Sequence, residues 1–225
     1  MNKIKWIIFA AIAVGVLTLL VVFSSDKKLD VSNINGNAIQ TANEQNGQIA
    51  EHVYGNPDSK VILINYGDFQ CPACGSAHPA IKSTVEKYKD KIQFVFRNFP
   101  LTTIHANAKL AAATAEAAGL QGKYWEMHDK IYENQSAWST LSETDRTGFF
   151  IDYAKSLGLD ETKFKNDVAS KSITNKINYD YALGKAAKVE GTPTFYLNGK
   201  KLEQSTYGDS TNLSAALDEA IAKNQ

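Results

Sequence analysis

Cys71 and Cys74 are the only thiols in 225 residues, and both lie in the stretch GDFQCPACGSAHPA, residues 67–80. A disulfide between them closes a loop too small to remove much entropy from the unfolded chain, so a structural staple explains little. Chemistry explains more. Pro72 suits the first position of a helix, where its missing N–H would be unsatisfied anyway, and this sets Cys71 at a helix N-terminus. Free backbone N–H groups and the macrodipole favour an anion there. Cysteines so placed have pKa values of about 3.5–7.5 instead of about 8.5. Stabilising the thiolate favours the reduced pair and makes the disulfide a stronger oxidant. Pro72 and Ala73 carry no ionisable group, so the helix terminus is expected to supply most of this stabilisation. Cys74, one turn on, is expected to lie deeper and keep its proton. Cys71 then exchanges bonds with a substrate sulfur, and Cys74 resolves the mixed disulfide.

Metal binding is the rival use of such a pair. His78 extends it to C-x2-C-x3-H, so Cys71, Cys74 and His78 are the ligand set of an alternative metal-binding or metal-delivery module. Structural zinc takes four ligands, commonly in two spaced pairs. There is no second cysteine pair, and His52, His105 and His128 have no mutual ligand spacing. No metal is therefore expected, and His78 reads as a solvated helix residue beside the thiols. The second candidate piece is Gly191-Thr192-Pro193-Thr194-Phe195. X–Pro bonds are trans by default, but a proline opening a strand cannot donate to the ladder on one side. With a cis bond before Pro193, Thr192 would turn its N–H and C=O towards an extended peptide, pairing with backbone without reading side chains.

The flanking elements can position these pieces. VILINY, residues 61–66, is the short apolar run of a buried strand, and Gly67 ends it. The helix after Cys71 carries Ile81, Val85 and Tyr88 on one face, with Pro79 inside it and expected to kink it. IQFVFR, residues 92–97, is the next strand, parallel to the first if a helix makes the crossover. No strand signal interrupts residues 103–186. Thr102 or Thr103 is placed to cap an Ala-rich helix ending at Gly119; KYWEMHDKIY is a second helix, Ser142 caps a third and Asp160 a fourth. Tyr124, Trp125 and Met127 are expected to pack insertion against core, or else to line a groove near the thiols. Asn198-Gly199 is a type I′ hairpin turn between TFYL and KKL. Leu213, Ala216, Leu217, Ala220 and Ile221 mark one face of the last helix.

Formal net charge is zero, without the basic surface that nucleic-acid binding needs, so no nucleic-acid partner is expected. Residues 6–23 carry no charge and as a helix would span about 27 Å, roughly one bilayer core. Lys3 and Lys5 precede them, which predicts a cytoplasmic N-terminus over residues 1–5 and an extracytoplasmic domain. A removable signal peptide is the competing reading, but the run is long for one and the cleavage match at Val22-Phe23-Ser24 is poor. Either way the domain works in an oxidising compartment. Residues 24–50, rich in Asn and Gln and free of aromatics, read as a flexible linker before a domain over 51–225.

Taken together, DFQCPAC, FVFRNFPL, GLQGKYWEMHD and GTPTFYLNGKKL resemble the DsbA-like thiol:disulfide oxidoreductases of the thioredoxin superfamily, in particular the membrane-anchored bacterial kind. The resemblance covers roughly residues 52–225. It implies an α/β, thioredoxin-like fold with an all-helical insertion at about 103–186, preceded by an N-terminal transmembrane helix. It implies Cys71 as nucleophile, Cys74 as resolving thiol, and Thr192-Pro193 as a cis-proline substrate loop, with no cofactor. It implies oxidation of exported, reduced or unfolded proteins, with electrons passed to a quinone-linked membrane reoxidase of the DsbB-like or VKOR-like type. A reductase or isomerase using the same site is the alternative within the class. One position departs from the pattern: relatives often carry an acidic residue six places before the first cysteine, where this chain has Asn65. An amide does not exchange a proton at physiological pH, so the proton path passes to water or another group. Asp68 is a candidate, although its loop placement points to a surface or capping role.

Overall fold

The run VILINY is apolar except at Asn65 because the strand it forms is covered on both faces. In the computed structural model, which describes residues 29–224, the order begins β1 (Val53–Gly55), β2 (Ile62–Gly67), α1 (Pro72–Tyr88) and β3 (Gln93–Asn98). The helices α2 (Ala108–Gly119), α3 (Tyr124–Glu133), α4 (Gln135–Trp138), α5 (Glu143–Ser156), α6 (Glu161–Val168) and α7 (Lys171–Ala186) follow. The chain then returns through β4 (Thr194–Leu197) and β5 (Lys200–Lys201) to α8 (Gln204–Tyr207) and α9 (Ser210–Ala222). The strands form one sheet in the order β1-β3-β2-β4-β5. β2 and β3 run parallel, joined by α1 as crossover, and the remaining pairs are antiparallel. This is a thioredoxin-like core with an all-helical insertion between β3 and β4.

Two apolar cores result. One lies where Leu63, Phe94 and Phe195 of the sheet meet Ile81 and Val85 of α1 and Leu213 and Leu217 of α9. The other fills the insertion around Met127, Trp138, Phe150, Phe164 and Ile173, and it reaches out to include Phe69, Cys71 and Cys74. The thiols therefore sit where the insertion meets the core.

Several local expectations hold. Asn198 and Gly199 both take positive φ, 48° and 79°, as a type I′ turn requires. The Ser142 side chain accepts from the Asp145 N–H and Asp160 from the Lys163 N–H, each capping its helix. Helix α1 continues through Pro79. Other boundaries differ. Helix α2 starts at Ala108, not at Thr102 or Thr103. The preceding turn is held elsewhere, by the Leu101 N–H and His105 Nδ1 on Asp68 Oδ2, each at 2.8 Å. Gly119 has a packing role: a Cβ there would lie 2.4 Å from the His52 ring. Strand β1, three residues on the edge beside β3, is too short for any periodicity to announce it.

The flexible linker expected over 24–50 is corrected for residues 31–50, which pack onto the domain. Val31 and Ile49 are buried, and Glu51 N–H donates to Gln40 O at 3.0 Å. Arg97 of β3, fully buried, donates to the carbonyls of Gly36 and Ala38, to Tyr66 Oη and to Glu51 Oε1. The segment is ordered by satisfying a buried guanidinium and not by burying aromatics, which is why its polar composition misleads. Residues 1–5, the membrane span expected over 6–23, and 24–28 lie outside the described residues. Among the described residues no helix is long and apolar enough to cross a membrane.

Candidate active site

Cys71 is the N-cap of α1, with extended backbone (φ −67°, ψ 120°), and Pro72 opens the first turn. No acidic residue occupies that turn, and no side chain caps it. The N–H groups of the first turn are left to face the sulfur. Both cysteines are free thiols, Cys71 7% and Cys74 4% exposed, so the reactive sulfur has only a small opening to solvent. Hydrogen bonding from the Cys74 thiol is the largest influence on Cys71. Together with Thr192 and the backbone N–H groups of Cys74 and Ala73, it outweighs burial and lowers the Cys71 pKa to about 5. The helix terminus contributes as the sequence implied, but the neighbouring thiol contributes more. Cys74 goes the other way. Burial, then its hydrogen bond and charge interaction with Cys71, raise its pKa well above that of a free thiol.

The Thr192-Pro193 bond is cis, and Cys71 Sγ donates to Thr192 O at 3.3 Å. The fold thus brings together all four residues singled out in the sequence, Cys71, Cys74, Thr192 and Pro193, although 121 positions separate Cys71 from Thr192. Asn65 lies beneath them on β2, 8% exposed, with its Oδ1 unpartnered by protein. Asp68 is not at the surface: it is 1% exposed, and its carboxylate takes the N–H of Gln70 and Leu101 and the His105 ring. It ties the loop before the thiols to the turn after β3.

The insertion also grips this loop, through residues that sequence reasoning passed over. Gln135 Nε2 donates to Phe69 O at 2.7 Å and to Cys71 O at 2.9 Å. Gln70 Nε2 donates to Ser139 O, and its Oε1 accepts from Asn107 N–H. Gly75 makes room for the first of these clamps, since a Cβ there would lie 2.4 Å from Gln135 Oε1.

Behind Cys74 is a crevice with about 50 Å³ of space for water, lined by Asn65, His78, Trp125, His128, Asp129 and Tyr132 among others. Trp125 lines it, whereas Tyr124 and Met127 are buried in the insertion's core, so the two readings of that stripe divide between its members. His78 is not solvated. It is 6% exposed and stacks on Tyr132, with ring centroids 5.0 Å apart. Burial, assisted by His128, lowers its pKa to about 4. The signal was in the sequence, because His78 shares the i, i+3, i+7 face of Ile81 and Val85. Among the described residues His78 groups with His128 and Asp129, not with the two thiols, as a set able to hold an ion.

The family model described as Thioredoxin matches residues 47–219. The Na+/H+ antiporter NhaA 1 of Salinispora arenicola (strain CNS-205) is 38% identical over 172 residues, 76% of this chain and 25% of the antiporter. The chain spans about a quarter of the length of the curated relatives it matches. Among solved structures, a thioredoxin-like oxidoreductase from Silicibacter pomeroyi DSS-3 is 25% identical, with a TM-score of 0.58 over 74% of this chain and 92% of its own. Oxidised BdbD from Bacillus subtilis has a TM-score of 0.67 at 21% identity, over 82% of this chain and 98% of its own.

Proposed function

This chain belongs to the thioredoxin family, and from that membership we propose that it is a thiol:disulfide oxidoreductase that introduces disulfides into exported proteins. One observation carries the reading: two thiols one helical turn apart have opposite proton affinities, Cys71 lowered to about 5 and Cys74 raised. A substrate thiolate attacks Cys71 Sγ of the closed pair, breaking the Cys71–Cys74 bond and expelling Cys74, which takes up a proton. A second substrate thiolate then attacks the substrate sulfur of the mixed disulfide and expels Cys71 as the stable thiolate. Two electrons pass from the substrate dithiol to the pair. Thr192 and Pro193 line the approach and hold the substrate backbone beside Cys71. The ionised product favours electron flow in this direction and sets the oxidase ahead of the reductase or isomerase. The domain acts on the extracytoplasmic side of a membrane, anchored by residues 6–23, and a quinone-linked membrane reoxidase of the DsbB-like or VKOR-like kind closes the pair again.

The experiment is a trap. Cys74→Ser, loaded on Cys71 with the acidic leaving thiol thionitrobenzoate and mixed with a reduced, unfolded protein carrying a single cysteine, should accumulate that protein bonded to Cys71. The wild type, loaded as its disulfide, should oxidise a two-cysteine form of that protein and end with both thiols free. No trapped species and no substrate oxidation would end the proposal. A pair that closes readily against glutathione buffers, with a disulfide too stable to oxidise the substrate, would move the assignment to a reductase.

A further inference from the structure

On the far wall of the crevice, α1 and α3 bring three side chains together that the thiol exchange does not use. One donor atom from each of His78, His128 and Asp129 lies within 4.8 Å of the others. His78 Nε2 is 3.6 Å from Asp129 Oδ1, and His128 Nδ1 is 3.0 Å from the same oxygen. The Nε2 atoms of both imidazoles are buried and have no hydrogen-bonding partner in the protein. Buried polar atoms are nearly always partnered, so two orphaned ring nitrogens in one crevice call for an occupant. The available space, about 50 Å³, exceeds the ~10–15 Å³ that one water-sized sphere needs. The Asp129 side chain, 25% exposed, opens a path from solvent.

We propose that His78, His128 and Asp129 form a binding site for a divalent transition-metal ion of the zinc class. Two imidazoles and one carboxylate are the donor set that such ions take, whereas calcium and magnesium require oxygen donors throughout. Neutral imidazole is the ligating form. Three protein ligands leave the fourth tetrahedral position to water. Bonds of about 2.0–2.1 Å require the three side chains to draw inwards. The group that opposes the ion is Lys82, whose Nζ is 2.9 Å from Asp129 Oδ2 and 2.7 Å from Glu133 Oε1. Its ammonium competes for the carboxylate and repels the ion. A purely structural His-Asp cluster would lose an ion pair on removal of Lys82; a metal site would gain affinity.

The test uses the full chain with its thiols closed as the disulfide, so that neither cysteine can ligate. Equilibrium dialysis against Zn2+ should give one ion per chain, and Co2+ should give the visible absorption of a tetrahedral site. Asp129→Asn and His78→Gln should each weaken zinc binding at least tenfold, with helical circular dichroism reporting that the fold is kept. Lys82→Met, at a half-exposed position that need not disturb folding, should tighten binding about threefold to tenfold, the size of one unit charge removed at this range in a high dielectric. Substoichiometric zinc on the wild type, equal binding by Asp129→Asn, or no gain in Lys82→Met would each overturn the site.

Discussion

Cys71 and Cys74 are three positions apart and differ in proton affinity because each defines the other's surroundings. Cys71 receives donors from the Cys74 thiol and the Cys74 and Ala73 N–H groups, while Cys74 faces a buried interior and a neighbouring anion. Helix position could be read from Pro72, but the larger contribution could not, because a thiol donating to its neighbour depends on side-chain placement and not on residue type. Two outcomes follow. Titration of the thiolate absorbance should give a midpoint of about 5 for Cys71 in the wild type, moving clearly upwards in Cys74→Ala. In Cys74→Ser, whose hydroxyl still donates, the rise should be smaller. A midpoint that ignores residue 74 would assign the effect to the helix terminus alone. The second concerns stability. The folded reduced protein has Cys71 near 5, and in the unfolded chain it returns to the ordinary thiol value of about 8.5. Its contribution is therefore fully present above about 9 and is lost as pH falls through 5. The oxidised protein has no such group. The reduced form should be the more stable to urea at pH 8, and its lead over the oxidised form should shrink towards pH 5. A lead independent of pH would contradict the thiolate assignment.

At the scale of elements, the insertion does more than cover the sheet: it holds the loop that presents the thiols. Helix α4 is only Gln135–Trp138, yet its first residue satisfies the carbonyls of Phe69 and Cys71 from more than 60 positions away. Gly75, one turn into α1, faces that amide: the three atoms nearest a Cβ built there all belong to Gln135. The Gln135 side chain could swing aside from a new methyl group only by releasing both bonds. Gly75→Ala should therefore cost about 1–3 kcal/mol by overpacking, and Gln135→Ala about 1–2 kcal/mol, chiefly for the Phe69 carbonyl it leaves unpaired, since Cys71 O keeps the Gly75 N–H at 3.1 Å. Combined, the two should not add. In the Gln135→Ala background, Gly75→Ala should become neutral or stabilise by up to about 1 kcal/mol, the helix preference of alanine over glycine. Urea midpoints of the four proteins give the coupling, and simple additivity would show that the contact is slack. The sequence disclosed the helices because caps and apolar faces are local. Ser142 and Asp160 cap as their residue types suggest. A four-residue helix offers no such pattern, and a bond between residues so far apart has no local signature at all.

Across the whole molecule, the same distinction separates what composition reveals from what it hides. The apolar runs identified β2, β3 and β4 and the faces of α1 and α9 that meet them, since burying them is the main favourable term and leaves a periodic trace. Residues 31–50 leave none, for they are held by polar groups meeting one buried cation. Tyr179 Oη adds a bond to Gln40 Oε1 at 2.9 Å, and Gln40 N–H donates to Glu51 Oε2 at 2.8 Å, so α7 joins the network. Removing the guanidinium leaves the Glu51 charge buried without its counterion, a change that typically costs about 3–5 kcal/mol. Arg97→Met should therefore lose stability on that scale, and amide exchange should rise first across residues 31–50, whose Gly36 and Ala38 carbonyls lose their donor. Adding Glu51→Gln removes the stranded charge while keeping an acceptor for the Gln40 N–H. The double variant should recover a substantial part of the loss and still exchange fast over 31–50. If Arg97→Met instead leaves that segment as protected as in the wild type, apolar anchors such as Val31 and Ile49 hold it, and its order owes nothing to the buried charge.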